Sequence, residues 1–207
     1  MTTTSTQMVV FDLYGTLVRF GVQLHPYRAI LSWARESGRQ PRPDDARRLL
    51  TTDGTPEEVF AALDIDPPRE LIRQFHIDIA KELASLSLFD DVVPTLERLD
   101  QAGIRLAICS NLAKPYGAVI DRLLPQFDLL RCLSYQVGAI KPEPEIYDWL
   151  VEVSGVAKES ISFVGDNQVA DYEGPSDFGF KAFHLVRGAK PAMQRIGSLA
   201  DLSGVIG

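Results

Sequence analysis

Met8-Val9-Val10-Phe11-Asp12-Leu13-Tyr14-Gly15-Thr16-Leu17 is the stretch on which the fold turns. Its first four residues form a continuous apolar run of the kind that fully buried parallel strands show, and the run stops abruptly at an aspartate. The threonine-rich segment before it, Met1 to Gln7, is expected to fray, and it lacks the charged and apolar regions of a signal peptide.

Similar units recur downstream. From Asp91, Val92, Val93, Leu96 and Leu99 follow helical spacing until Gly103 supplies a stop, and the strand-like Ile104 to Cys109 then ends on Ser110-Asn111. Ile146, Leu150 and Val153 make a second helical stripe closed by Gly155, after which Ile161-Ser162-Phe163-Val164 runs into Gly165-Asp166. Lys181 to Val186 is a last strand. Strands alternating with helical segments predict an α/β, Rossmann-like, doubly wound parallel sheet. Ligands bind outside the carboxyl ends of such strands, where Asp12, Ser110 and Asp166 should converge.

Between Arg19 and Leu88 the strand signal disappears. Pro26 to Ser37, Pro43 to Leu50, Pro56 to Leu63 and Pro68 to Leu86 read as helices opened by proline or acidic residues. The predicted organisation is a core of residues 1–18 and 89–207 with an inserted all-helical subdomain of residues 19–88. Tyr27, Trp33, Phe60 and Phe75 are expected to pack its interior. His25, Arg28 and Arg35 are its candidates for contact with an anionic substrate.

The 207 residues suffice for one core carrying a small insertion. A hydrophobic fraction of 45% with 24% charge excludes disordered, collagen-like and disulfide-scaffold classes. The net charge of -7 points away from nucleic acid. No stretch is long and apolar enough for a membrane helix, so a cytoplasmic protein without a membrane partner is expected; oligomeric state stays open. Cys109 and Cys132 lack a CxxC pattern or a neighbouring histidine and are expected to be buried thiols.

Three carboxylates and one lysine could carry chemistry. An aspartate closing a buried strand is costly to desolvate unless a cation or several donors hold it, which marks Asp12. Gly15 and Thr16 permit a tight turn whose amides can face an anion. Asp166, one residue beyond a buried strand, and Asp171, five further on, are hard oxygen donors of the kind magnesium takes, although Asp171 could simply cap a helix. Lys141 stands in Ala139-Ile140-Lys141-Pro142-Glu143-Pro144, where the prolines stiffen a loop that could aim its ammonium at an anion. Ser110 and Asn111 could donate to phosphate oxygens from their strand end, or merely form a turn.

In order and spacing, Asp12-Leu13-Tyr14-Gly15-Thr16, Ser110-Asn111, Lys141-Pro142 and Gly165-Asp166 with Asp171 resemble the four motifs of the haloacid dehalogenase superfamily. The helical insertion after the first motif resembles that family's commonest cap, which closes over the site and selects substrates. The resemblance implies that Asp12 is a covalent nucleophile, that Ser110 binds the transferring group and that Lys141 steadies negative charge. It implies a magnesium ion held by Asp12, Asp166 and the backbone carbonyl of Tyr14, with Asp171 as a further ligand or as the residue orienting Lys141. Gly15, Thr16, Asn111 and Asn167 become substrate-binding candidates, and the partner a small phosphorylated molecule.

One position departs from the family's phosphatases. Two residues after the nucleophile they usually carry an acid-base aspartate; here stands Tyr14, whose phenol, with an ordinary pKa near 10, is a poor proton donor-acceptor at neutral pH. The family's 2-haloacid dehalogenases carry a tyrosine there and work without metal, but resemble Ser-Ser-Asn rather than Gly-Asp-Asn at the fourth motif. The sequence thus joins a dehalogenase-like first motif to a phosphatase-like fourth. The expected activity is magnesium-dependent phosphate hydrolysis, with metal-free dehalogenation or a catalytically weak ligand-binding protein as alternatives.

Overall fold

A computed structural model describes residues 7–204; the frayed start expected at Met1 to Gln7 lies, but for Gln7, outside the described residues. In chain order the elements are β1 (Met8–Phe11), β2 (Val18–Arg19), α1 (Pro26–Glu36), α2 (Asp45–Thr51), α3 (Pro56–Ala62), α4 (Arg69–Ser85), β3 (Ser87–Leu88), α5 (Val92–Gln101), β4 (Arg105–Ser110), α6 (Val119–Leu123), β5 (Leu129–Leu133), α7 (Ser134–Val137), α8 (Pro144–Ser154), β6 (Ile161–Gly165), α9 (Gly174–Phe178), β7 (Lys181–Leu185) and β8 (Arg195–Ile196). The main sheet has the order β5-β4-β1-β6-β7-β8. All its neighbours run parallel, with β1 central and paired from Met8↔Arg105 to Phe11↔Ile108 on one side and from Met8↔Ile161 to Phe11↔Val164 on the other.

The apolar run of β1 is explained by its position. Successive side chains point to opposite faces, so Val9 and Phe11 join one core layer while Met8 and Val10 join the other, and none of the four is exposed. Val92, Leu96 and Leu99 of α5 cover the first face; Ile146, Tyr147 and Leu150 of α8 cover the second. Val153 is a correction: half exposed, it lies off the α8 stripe, because Tyr147 and Ser154 rotate the buried arc away from it. Strands β5 and β8 were not foreseen. Both cysteines are fully buried and free.

The region expected to be helical contains α1 to α4, and its ends are drawn together by the antiparallel pair β2–β3, Val18↔Leu88 and Arg19↔Ser87. Ile30, Leu49, Val59, Phe60, Leu63, Phe75 and Ile79 give these helices their own apolar cluster, with Tyr27 and Trp33 packed at its margin. At the start of α3, Thr55 accepts from the Glu58 amide while Glu58 reaches back to Thr55, a reciprocal cap ahead of Pro56. Among the described residues no helix is long and apolar enough to cross a membrane.

Candidate active site

Because the strands are parallel, their carboxyl ends share one edge of the sheet, and the polar residues closing β1, β4 and β6 meet there. Asp12, Tyr14, Ser110, Asn111, Lys141, Asp166, Asn167 and Asp171 line a cleft of about 270 Å³ together with Ala170.

Asp12 is 7% exposed. Its Oδ1 accepts from the Ser110 hydroxyl at 3.0 Å and from Lys141 Nζ at 2.7 Å, and among the described residues Oδ2 receives no hydrogen bond. Burial raises the Asp12 carboxyl to about 6, an effect that the Lys141 charge opposes and the neighbouring Asp171 reinforces. Lys141, 3% exposed, also donates to the Cys109 carbonyl at 2.8 Å and to Asp171 Oδ1 at 2.5 Å. Burial lowers the pKa of its ammonium; the two carboxylates outweigh burial and hold it above the ordinary lysine value.

The side chain of Asn111 is turned to Lys141. Its Oδ1 accepts from the Lys141 amide and its Nδ2 donates to the Lys141 carbonyl, both at 2.8 Å. Asn167 accepts from the Val169 and Ala170 amides, capping the turn that follows, while its own amide donates to Asp171 Oδ2 at 2.9 Å. Asp171 is 1% exposed and accepts from both the Lys141 ammonium and the Asn167 amide.

Oxygen atoms of Asp12, Asp166 and Asp171 lie within 4.8 Å of one another, a spacing that one metal ion could bridge. Asp166 forms no ion pair among the described residues, and burial together with the Asp171 charge raises its pKa. Two glycines make this crowding possible. A Cβ on Gly15, whose φ is +88°, would collide with the Asp166 carboxylate, and one on Gly165 would collide with that of Asp171.

Neither Gly15 nor Thr16 is among the residues that line the cleft. Thr16 is fully buried, and among the described residues its hydroxyl has no hydrogen-bond partner. Tyr14 lines the cleft, but its hydroxyl donates to the Tyr116 carbonyl at 2.9 Å and its ring stacks on Phe20 at 5.0 Å. Burial pushes its phenol well above the ordinary value.

His25 and Arg28 border a separate cleft of about 220 Å³ whose walls include Phe20, Tyr27, Glu82 and Tyr116; Arg28 also borders a further cleft, with Arg35, Arg39 and Arg42. Sequence reasoning missed Glu82, which is 2% exposed and accepts from the Leu24 and His25 amides and the Tyr116 hydroxyl. The signal was available: Phe75, Ile79 and Glu82 share one helical stripe, and an acid on an apolar stripe needs donors.

Comparison with known proteins adds three findings. A family model described as haloacid dehalogenase-like hydrolase matches residues 6–179. The chain is 30% identical to (S)-2-haloacid dehalogenase 4A of Burkholderia cepacia over 90% of its own length and 86% of that protein's, and 31% identical to a phosphoglycolate phosphatase of Aliivibrio fischeri over 60% and 54%. It thus spans about half the length of that phosphatase, and likewise of a glyceraldehyde 3-phosphate phosphatase of Methanopyrus kandleri. A HAD phosphatase from Thermococcus onnurineus shares the fold, with a TM-score of 0.62 over 98% of both chains at 24% identity.

Proposed function

The chain belongs to the haloacid dehalogenase-like hydrolases, and we propose that within them it is a magnesium-dependent phosphatase of small phosphorylated substrates, with Asp12 as the covalent nucleophile. The observation that carries this reading is the third carboxylate. Asp166 stands within 4.8 Å of Asp12 and Asp171, and the one ammonium in the cluster, Lys141, is already committed to those two. Such a cluster repels itself unless a cation joins it, and an all-oxygen donor set suits magnesium. Asp12, Asp166 and the Tyr14 carbonyl would hold that ion, with Asp171 retained by Lys141.

Magnesium bound there supplies charge neutralisation at the phosphate oxygens. The chain's own groups do the rest. Ser110 and Lys141 hold Asp12 by one oxygen, so the carboxylate meets phosphorus in a fixed orientation. The attack forms an Asp12–phosphate bond as the substrate's oxygen leaves, and water then cleaves the acyl phosphate. Lys141 offsets the charge gathering on the transferred group. Tyr14 does not supply the leaving group's proton at neutral pH, since its hydrogen is given to Tyr116 and its pKa is raised. Substrates whose leaving oxygen departs as a stable anion are therefore favoured. The helical insertion of residues 19–88 acts as the cap, and the aromatic cleft beneath His25 and Arg28 selects the substrate. The enzyme works in the cytoplasm, without nucleic acid or membrane.

Tyr14 supports a second reading. A halide needs no proton on departure, and the Burkholderia relative aligned over most of both chains is a dehalogenase. Release of p-nitrophenol from p-nitrophenyl phosphate with and without magnesium, beside halide release from 2-chloropropionate, separates the two in native protein and Asp12→Asn. Magnesium-dependent phosphate hydrolysis abolished in the variant is expected. Metal-independent halide release would install dehalogenation instead, and silence in both assays would favour a binding role.

A further inference from the structure

The loop that carries Asp12 into the cleft is held from behind by a residue outside the span matched by the family model, which ends at 179. Arg187 follows β7, on the same edge of the sheet as Asp12, Ser110 and Asp166. Each of its guanidinium nitrogens is engaged. Nε donates to the Gly15 carbonyl at 3.4 Å, Nη2 to the Thr16 carbonyl at 2.5 Å, and Nη1 to both Asp91 oxygens at 3.1 and 3.0 Å. Asp91 is fixed in turn by the Ser198 hydroxyl and the Leu199 amide, and the guanidinium lies 3.6 Å from the centre of the Phe89 ring. The next carbonyl, that of Leu17, accepts from the Phe89 amide. Three successive carbonyls of the loop are thus tied to the 89–91 corner, two of them through Arg187.

A planar fork braced by a carboxylate and an aromatic face fixes direction as well as distance, which a lysine cannot reproduce. We propose that Arg187, braced by Asp91, is a positioning residue for the reaction: it sets the conformation of the Gly15–Thr16 turn and so the placement of Asp12 and the Tyr14 carbonyl. Its catalytic part rests on the nucleophile role given to Asp12 above; its ordering of the loop does not.

The test uses the full chain with Arg187→Met and Arg187→Lys, and two independent measurements. Hydrogen exchange at the Gly15, Leu17 and Val18 amides, bonded to the Val18 and Leu13 carbonyls, reports the loop directly. Exchange there should rise about tenfold or more in Arg187→Met while the β1 amides stay protected. With p-nitrophenyl phosphate and magnesium, kcat should fall about ten- to 100-fold, the scale of a small misplacement of a reacting group, with KM nearly unchanged. Millimolar guanidinium should recover part of that kcat where equal sodium chloride does not, a response that loss of stability alone does not produce. Arg187→Lys should fall between native and Met in both measurements, and it carries the test if Arg187→Met fails to fold.

Unchanged loop exchange in a folded variant overturns the proposal, and so does looser exchange with unchanged kcat. If native protein hydrolyses no phosphate, the phosphatase reading fails separately, and the exchange measurement alone decides whether Arg187 orders the loop.

Discussion

Lys141 Nζ lies 2.7 Å from Asp12 Oδ1, though 129 positions separate the two residues. The same ammonium reaches Asp171, so one buried cation holds two buried carboxylates. Removing it leaves both uncompensated, which typically costs about 3–5 kcal/mol. Lys141→Met should therefore lose both turnover and stability at neutral pH. Adding Asp12→Asn should restore part of the stability and none of the turnover, with a coupling of about 1 kcal/mol or more in urea unfolding. Additive losses would mean that the pair is not coupled in the folded protein.

Tyr14 separates chemistry from structure. Tyr14→Phe deletes the hydrogen bond to the Tyr116 carbonyl and should cost about 0.5–1.5 kcal/mol of stability while leaving turnover of p-nitrophenyl phosphate within about twofold. Tyr14→Asp places a carboxyl group at the family's acid-base position. It should raise kcat on alkyl phosphates about tenfold or more, toward the 100- to 10,000-fold that such a group contributes. No gain in a folded variant would show that another group already supplies the proton.

What the sequence disclosed follows from where each signal lives. Strands β1 and β6 are apolar on both faces because both faces are covered, and their polar terminators read out directly as Asp12 and Asp166. Strand β5 was illegible for the opposite reason: it is the sheet's edge, and Arg131 interrupts its apolar run to pair with Asp121 at the surface. Lys141 and Asp171 were visible as residue types in stiff or strand-end contexts. The clamps were not. A carboxamide at Asn111 is equally suited to a phosphate or to a backbone, and only the fold brings the main chain of Lys141, 30 residues on, against it. Arg187 left a fainter trace, a lone arginine just past a strand on the functional edge of the sheet.

Gly15 tests the crowding that the metal reading requires. With φ at +88° and a Cβ that would strike the Asp166 carboxylate, Gly15→Ala should cost roughly 1–2 kcal/mol from backbone strain alone. It should also push Asp166 out of the cluster. Magnesium titrated calorimetrically into the variant should bind about tenfold more weakly, a difference of about 1.4 kcal/mol. Unaltered magnesium affinity with lowered stability would remove Asp166 from the metal site.

Asp45, which does not line the cleft, makes a pH signature that the helical insertion should show. Arg39 Nη1 and Nη2 grip its two oxygens at 2.7 and 2.5 Å, and the Arg42 amide adds a third donor at 2.9 Å. Chiefly through the Arg39 bonds, and against the cost of burial, its carboxyl falls to about 2 from the ordinary 3.8. A carboxyl depressed by folding contributes stability that is fully present above the unfolded value and fades as pH drops toward the folded one. The melting temperature of native protein should therefore exceed that of Asp45→Asn by a constant amount above about pH 5, and the gap should narrow between about pH 4 and 2. Taking the difference between the two proteins cancels the other carboxylates that titrate in the same window. A gap that stays constant down to pH 2 would show that the carboxylate charge of Asp45 contributes nothing to holding the connection through Arg39 and Arg42 against the start of α2.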